Sequence, residues 1–280
     1  MFLRIFLFLS LFFYVSPSFA FTTTGFSQPS GVAIDPATRF IYVSNIVGSP
    51  TEQDTNAFIS RLKADGTIDQ MRFIDGVAEG VILNAPKGMA VLKDKLYVAD
   101  IDVLRVFDVA TGKPLPEISF GTMRIQHLYD IEVGLDNALY VTDAPASTVV
   151  RIDPANADVK VLFTADELGD VRGLTWDPVR QWWWVAGFTS GKLMAFDGAG
   201  IRQSVPTIMI PGVVDLVADD AGNLYASSAP LKSIERVTPT FAVSGFQLGL
   251  PIPAGMVVDT ITSTLLVVSA ENVGSFLINK

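Results

Sequence analysis

Cysteine is absent from all 280 residues. Disulfides, thiolate metal ligands, a cysteine nucleophile and a lipid-modified cysteine are therefore excluded together, and the chain tolerates an oxidising compartment without depending on one. Histidine occurs once, at His127. Without a second histidine or a nearby nucleophile signature, metal or general-base duty for it rests on position alone. Basic residues are outnumbered 20 to 29, a net charge of −9, which argues against nucleic acid as a partner. Most of the acids stand singly in turns, among them Asp35, Asp65, Asp153, Asp177, Asp219 and Asp220, as solvated turn chemistry. Long apolar runs are also scarce. The one from Ile5 to Val15 falls short of the roughly 20 residues that span a bilayer. Arg4 before it and Ser18-Phe19-Ala20 after it read as a cleaved signal peptide over residues 1–20. The alternative is an uncleaved anchor. With cleavage the expectation is a periplasmic or secreted protein with no stable membrane span and a net charge of −10, since Arg4 leaves with the leader.

What the chain has in quantity is repetition. A Gly or Asp, a β-branched apolar stretch, a turn and a second apolar strand ending in a polar or small residue recur six times. The copies are Gly31 to Asn45 (GVAIDPATRFIYVSN), Gly88 to Asp100, Asp130 to Asp143, Gly173 to Gly187, Asp215 to Ser228 and Gly255 to Ala270. Lead positions 31, 88, 130, 173, 215 and 255 are 57, 42, 43, 42 and 40 residues apart, the period of four-stranded propeller blades. The expected fold is all-β: a six-bladed β-propeller occupying residues 21–280 as one domain, because a divided ring would expose faces that only neighbouring blades bury.

The apolar stretch after each lead residue is the innermost strand and the second run its neighbour. In the first blade Phe58 to Ala64 and Ile68 to Ile74 are the outer pair, joined at Asp65-Gly66. The last copy supplies three strands, ending with Val273 to Ile278, so Phe21 to Phe26 is expected to add the fourth and close the ring. Trp182, Trp183 and Trp184 fall in the second strand of the fourth blade, where packing between sheets accounts for them. Alternating strand directions place the residues before each lead position and the long connections Ile46 to Ala57 and Gly76 to Asn84 on one face. Such loops are either functional or tolerated insertions.

The strings YVSN (Tyr42 to Asn45), NAFISR (Asn56 to Arg61), Ile74-Asp75-Gly76, NAPKGMA (Asn84 to Ala90) and LYVADID (Leu96 to Asp102) carry a family likeness. The chain resembles the senescence-marker-protein/gluconolactonase-like (LRE-like) six-bladed propellers, including exported bacterial members. Its GVAID and LYVTD phrases also resemble NHL repeats. The resemblance implies a divalent metal, calcium or zinc, held at the axis by a glutamate, two asparagines and an aspartate just before several lead positions. Here those positions are Ser30, Lys87, Tyr129, Arg172, Val214 and Ala254. None is a carboxylate, and two are cations that would repel a metal. The expectation is therefore no cofactor and no catalytic set of the family kind.

Lys87 and Arg172, with the Tyr129 phenol between them, instead form a mouth that could bind a carboxylate or phosphate. The bland alternative pairs them internally with Asp130, Asp215 or Asp100. Asn45, Asp100 and Asp143 close strands near the same mouth and join the candidate ligand set, although such acids also serve by accepting backbone N–H bonds from turns. Three functions follow: an exported propeller binding a small anionic molecule or a protein partner without chemistry of its own; a divergent metal-dependent lactonase or related hydrolase using Asp130, Asp215 and His127; and a scaffold for envelope proteins, which exposed apolar residues on the loop face would favour.

Overall fold

A computed structural model describes residues 19–278. Six four-stranded antiparallel sheets follow one another along the chain. Their innermost strands are Pro29–Ile34, Pro86–Leu92, Leu128–Val133, Val171–Asp177, Val213–Ala218 and Pro253–Asp259. Each begins with a slip in register against its neighbour, as between Pro86 and Met89 or between Val171 and Gly173. These bulges turn the residue before each lead position away from the regular alternation of the strand. The ring is therefore a six-bladed propeller.

The sixth sheet is completed by the chain's first strand. Phe19–Thr24 pairs antiparallel with Asn272–Leu277, Thr22 opposite Gly274. It starts two residues earlier than the Phe21 expected from sequence. The leader reading over residues 1–20 lies outside the described residues except for Phe19 and Ala20, which belong to this strand.

Alternation along each strand sends side chains to both faces of a blade, and the apolar ones collect in six clusters, one in each seam between adjacent blades. The tryptophan run shows how this works. Trp183 enters the seam between blades three and four, its ring centroid 4.1 Å from that of Tyr140 and 5.0 Å from that of Trp176. Trp184, pointing the other way, fills the next seam with Leu216 and Val237. Both are buried, so the run belongs to the core.

Candidate functional site at the propeller axis

The innermost strands enclose an axial tunnel whose free volume is about 350 Å³. At the level of the lead residues the blades touch backbone to backbone. A Cβ on Gly31 would lie 2.2 Å from the carbonyl oxygen of Lys87, and one on Gly255 would lie 2.5 Å from that of Ser30. Glycine at these two leads is thus a requirement of close approach rather than of turn geometry.

Blades three and five carry aspartate at the lead instead, and each carboxylate bridges two strands. Asp130 accepts from the amides of Ile131 (2.8 Å) and, across the seam, Leu174 (2.9 Å). Asp215 accepts from Leu216 (2.7 Å) and Met256 (2.5 Å). Burial and the neighbouring Asp215 raise the Asp130 carboxyl well above the usual carboxylate range, and burial raises Asp215 against the pull of its amides. Glu132, two residues along the tunnel wall, is pushed up to about 8 by burial and by Asp215. The tunnel at this level holds carboxyls that resist full ionisation.

A second set of clamps alternates around the ring. Ser44 Oγ accepts from Gly31 N (2.8 Å) and donates to the Lys87 carbonyl (2.9 Å). Thr142 Oγ1 accepts from Asp130 N (3.0 Å) and donates to the Arg172 carbonyl (3.1 Å). Ser227 Oγ accepts from Asp215 N (3.0 Å). Blades two, four and six have Ala99, Ala186 and Val268 at the equivalent register. The odd blades therefore fix the backbone from which the cations of the even blades project.

One residue above, Lys87, Tyr129 and Arg172 come together as the offset from the lead residues predicts. The Lys87 ammonium lies 5.4 Å and the Arg172 guanidinium 4.9 Å from the centroid of the Tyr129 ring. Arg172 also stacks on Phe188 at 3.6 Å, a contact within the range of a favourable cation–π interaction. Its Nε and Nη2 donate to Asp170 Oδ2 at 3.1 and 2.6 Å. Internal pairing thus exists for Arg172, with Asp170 rather than with Asp130, Asp215 or Asp100.

Lys87 is only 4% exposed, and no hydrogen bond or ion pair of its ammonium is present among the described residues. Burial and then Arg172 lower it to about 8, against the pull of Asp100. His127 belongs to the same cluster. Burial, Lys87 and Arg172 push its imidazole down to about 4, and its Nε2 is buried without a hydrogen-bond partner.

Asn45, Asp100 and Asp143, the strand-end members of the expected ligand set, are engaged with the backbone of the incoming connections. All three are buried with their oxygens already engaged. Asn45 Oδ1 accepts from Ser27 N at 2.9 Å. Asp100 accepts from the amides of Asn84 and Ala85 and from Arg105 Nε at 3.1 Å. Asp143 accepts from Gln126 and His127 at 3.0 and 2.8 Å. They tie each incoming connection to its blade, so a strand-end acid here is loop chemistry. Asp143 thereby holds His127 in place.

The metal set considered for a hydrolase, Asp130, Asp215 and His127, is not assembled. Among the described residues no group of three or more His, Cys, Asp and Glu side chains is placed to hold a metal ion. Four carboxylate oxygens of the aspartates are occupied by amides, and His127 faces two cations. On the loop face, the connection over 46–57 is fastened to its surroundings by Gly48 N to Gln28 Oε1 (2.5 Å) and Thr55 N to Asn84 Oδ1 (3.2 Å). Val77 and Ile82 are exposed in the 76–84 connection, but Leu135, Val179 and Ile261 are as exposed in turns between inner strands. Exposed apolar residues therefore do not single out the loop face.

No family model matches the chain, and no curated protein matches it in sequence. Solved structures do match. A gluconolactonase from Xanthomonas campestris, described as important in glucose secondary metabolic pathways, is 19% identical, with a TM-score of 0.71 over 92% of this chain and 89% of that one. A putative gluconolactonase is 15% identical with a TM-score of 0.72, covering 94% and 92%. A streptogramin B lyase is 13% identical with a TM-score of 0.66, covering 92% and 98%. At these identities the likeness is one of fold, the six-bladed propeller that the sequence resemblance implies.

Proposed function

We propose that this protein is an exported propeller that binds a small anionic ligand at the axial mouth, between Lys87, Arg172, Tyr129 and His127, without a chemical step of its own. The observation that carries the reading is Lys87, a side chain only 4% exposed whose ammonium has no carboxylate paired to it among the described residues of an otherwise acidic protein. An unpaired charge in that setting is costly, and an arriving anion supplies the missing partner. His127 Nε2 offers a further unfilled hydrogen-bonding position in the same cluster. Export is supported by the apolar run from Ile5 to Val15, with Arg4 before it and the small residues Ser18 and Ala20 after it.

A thermal-shift titration of the full protein with lactate and gluconate tests the binding, since a ligand that prefers the folded state raises the melting temperature. Stabilisation should survive EDTA and should disappear in Lys87→Ala and Arg172→Ala. Equal stabilisation of both variants would overturn the assignment of the site.

A further inference from the structure

The charge that the mouth can accept is set by which of its groups are already neutralised. Arg172 gives Nε and Nη2 to Asp170 and bears on the Tyr129 phenol, and its Nη1 makes no ion pair among the described residues. Asp100, which acts on Lys87, is itself held by Arg105 and the amides of residues 84 and 85. Asp102 and Asp170 both bear on His127 and oppose Lys87 and Arg172 there. Among the described residues Lys87 is left as the one cation of the cluster without an ion pair; with the exposed Asp102 counted against it the cluster carries no net positive charge, so it has one cation, not two, to offer an anion. Below it, one residue along the strands, stand the carboxyls Asp130 and Asp215.

From this balance we infer that the axial mouth selects a ligand with a single negative charge, a monocarboxylate, over sulfate or a dicarboxylate. The inference rests on the anion-binding reading of the same site. One carboxylate oxygen accepts from the Lys87 ammonium and the other from Nη1 of Arg172, both of which sit against the Tyr129 ring. A second negative charge would meet Asp170, Asp102 and the tunnel carboxyls with no cation left to match it, and a desolvated charge without a partner is strongly disfavoured. His127 is neutral between its two cations at pH 7, so it can give or take a hydrogen bond but does not supply the missing charge.

Calorimetric titration of the full protein at pH 7 and fixed ionic strength, with acetate and lactate against sulfate and malonate, tests this directly. The expected result is binding of the monocarboxylates at least tenfold tighter than of either dianion. In Asp170→Asn, where the guanidinium is released, the preference should shift toward malonate by at least tenfold. Asparagine suits the positive φ of 57° at position 170, and the wild-type ratio decides the matter even if this variant fails to fold. Sulfate or malonate binding as tightly as acetate would overturn the selectivity while leaving an anion site in place. Binding of none of the four would remove both the selectivity and the site.

Discussion

Tyr129 and Asp130 are consecutive residues, yet they belong to levels of the tunnel built on opposite logic. At the level of Asp130 and Asp215 each of the four oxygens of these two aspartates is matched by a backbone amide, two from the same strand and two from the next blade. These acids are rivets of the ring, and their raised protonation follows from burial, to which Asp215 adds at Asp130. At the level of Tyr129, the buried Lys87 makes no ion pair among the described residues and Arg172 pairs only with Asp170. Groups that hold a fold together have their bonding capacity filled from within. A level where the capacity is unfilled is where something from outside can bind, and the two levels should respond to substitution in opposite ways.

The largest effect belongs to the lower level. Asp215→Ala strips acceptors from the amides of Leu216 and Met256 while relieving the repulsion with Asp130. Two orphaned buried donors outweigh that relief, and the expected loss is about 2 to 4 kcal/mol, read from the urea midpoint at pH 7. Anion binding in the folded fraction should persist. An unchanged midpoint would mean that Asp215 does not tie blades five and six together.

Glu132→Gln sharpens the contrast by showing that not every acid at the lower level is a rivet. Glu132 has no hydrogen bond among the described residues, and its pKa rises from 4.5 to about 8 on folding. The folded state therefore holds the proton more tightly than the unfolded one. Its contribution to stability is greatest below about pH 4.5 and declines as pH climbs to 8. The glutamine variant should be more stable than wild type by about 1 to 3 kcal/mol at pH 8, discounting for water in the tunnel, with the gain vanishing near pH 4.5. A gain independent of pH would point to packing instead.

At the upper level Lys87→Met should abolish anion binding and yet stabilise the fold, by about 1 kcal/mol at pH 7 once the lost contact with Tyr129 is subtracted. The sign follows from a pKa lowered from 10.5 to about 8. Folding disfavours the ammonium, so its burden is full below pH 8 and gone by pH 10.5. Destabilisation of this variant at pH 7 would show that Lys87 is a structural plug.

Much of the ring was legible in the sequence because the lead Gly or Asp and the apolar pairs recur at the blade period. The cluster of Lys87, Tyr129 and Arg172 was legible too, as a fixed offset from the lead positions. Other parts were hidden by physics that a period does not encode. Asn45, Asp100 and Asp143 look like an axial rim in one dimension, but the amides of the incoming connections reach them first. Asp170 and Phe188, which set the charge and stacking of Arg172, lie outside the repeated phrase. The clamps Ser44, Thr142 and Ser227 are visible as an alternation with Ala99, Ala186 and Val268, although their meaning requires the register across each seam. Blade four ends in an outer strand of only two residues, Ile208–Met209, and the segment before it, Ser204-Val205-Pro206, carries a proline and no strand alternation to read.

The smallest effect in energy is the most direct report on the mouth. With one histidine in the chain, the imidazole signal of His127 needs no assignment by mutation. Lys87 and Arg172 add to burial in lowering its pKa from 6.5 to about 4, so in ligand-free protein the signal should stay in its neutral position down to about pH 5. As pH falls from 6.5 toward 4 this group also erodes stability, because the unfolded chain takes the proton first. Saturating acetate places a negative charge beside the same cations, and Lys87→Met removes one of them. Each change favours the imidazolium and should move the titration upward, toward the ordinary value. Titration near 6.5 in the ligand-free wild type would mean that the cations do not face His127, and the upper level would lose the shared field that distinguishes it from the level below.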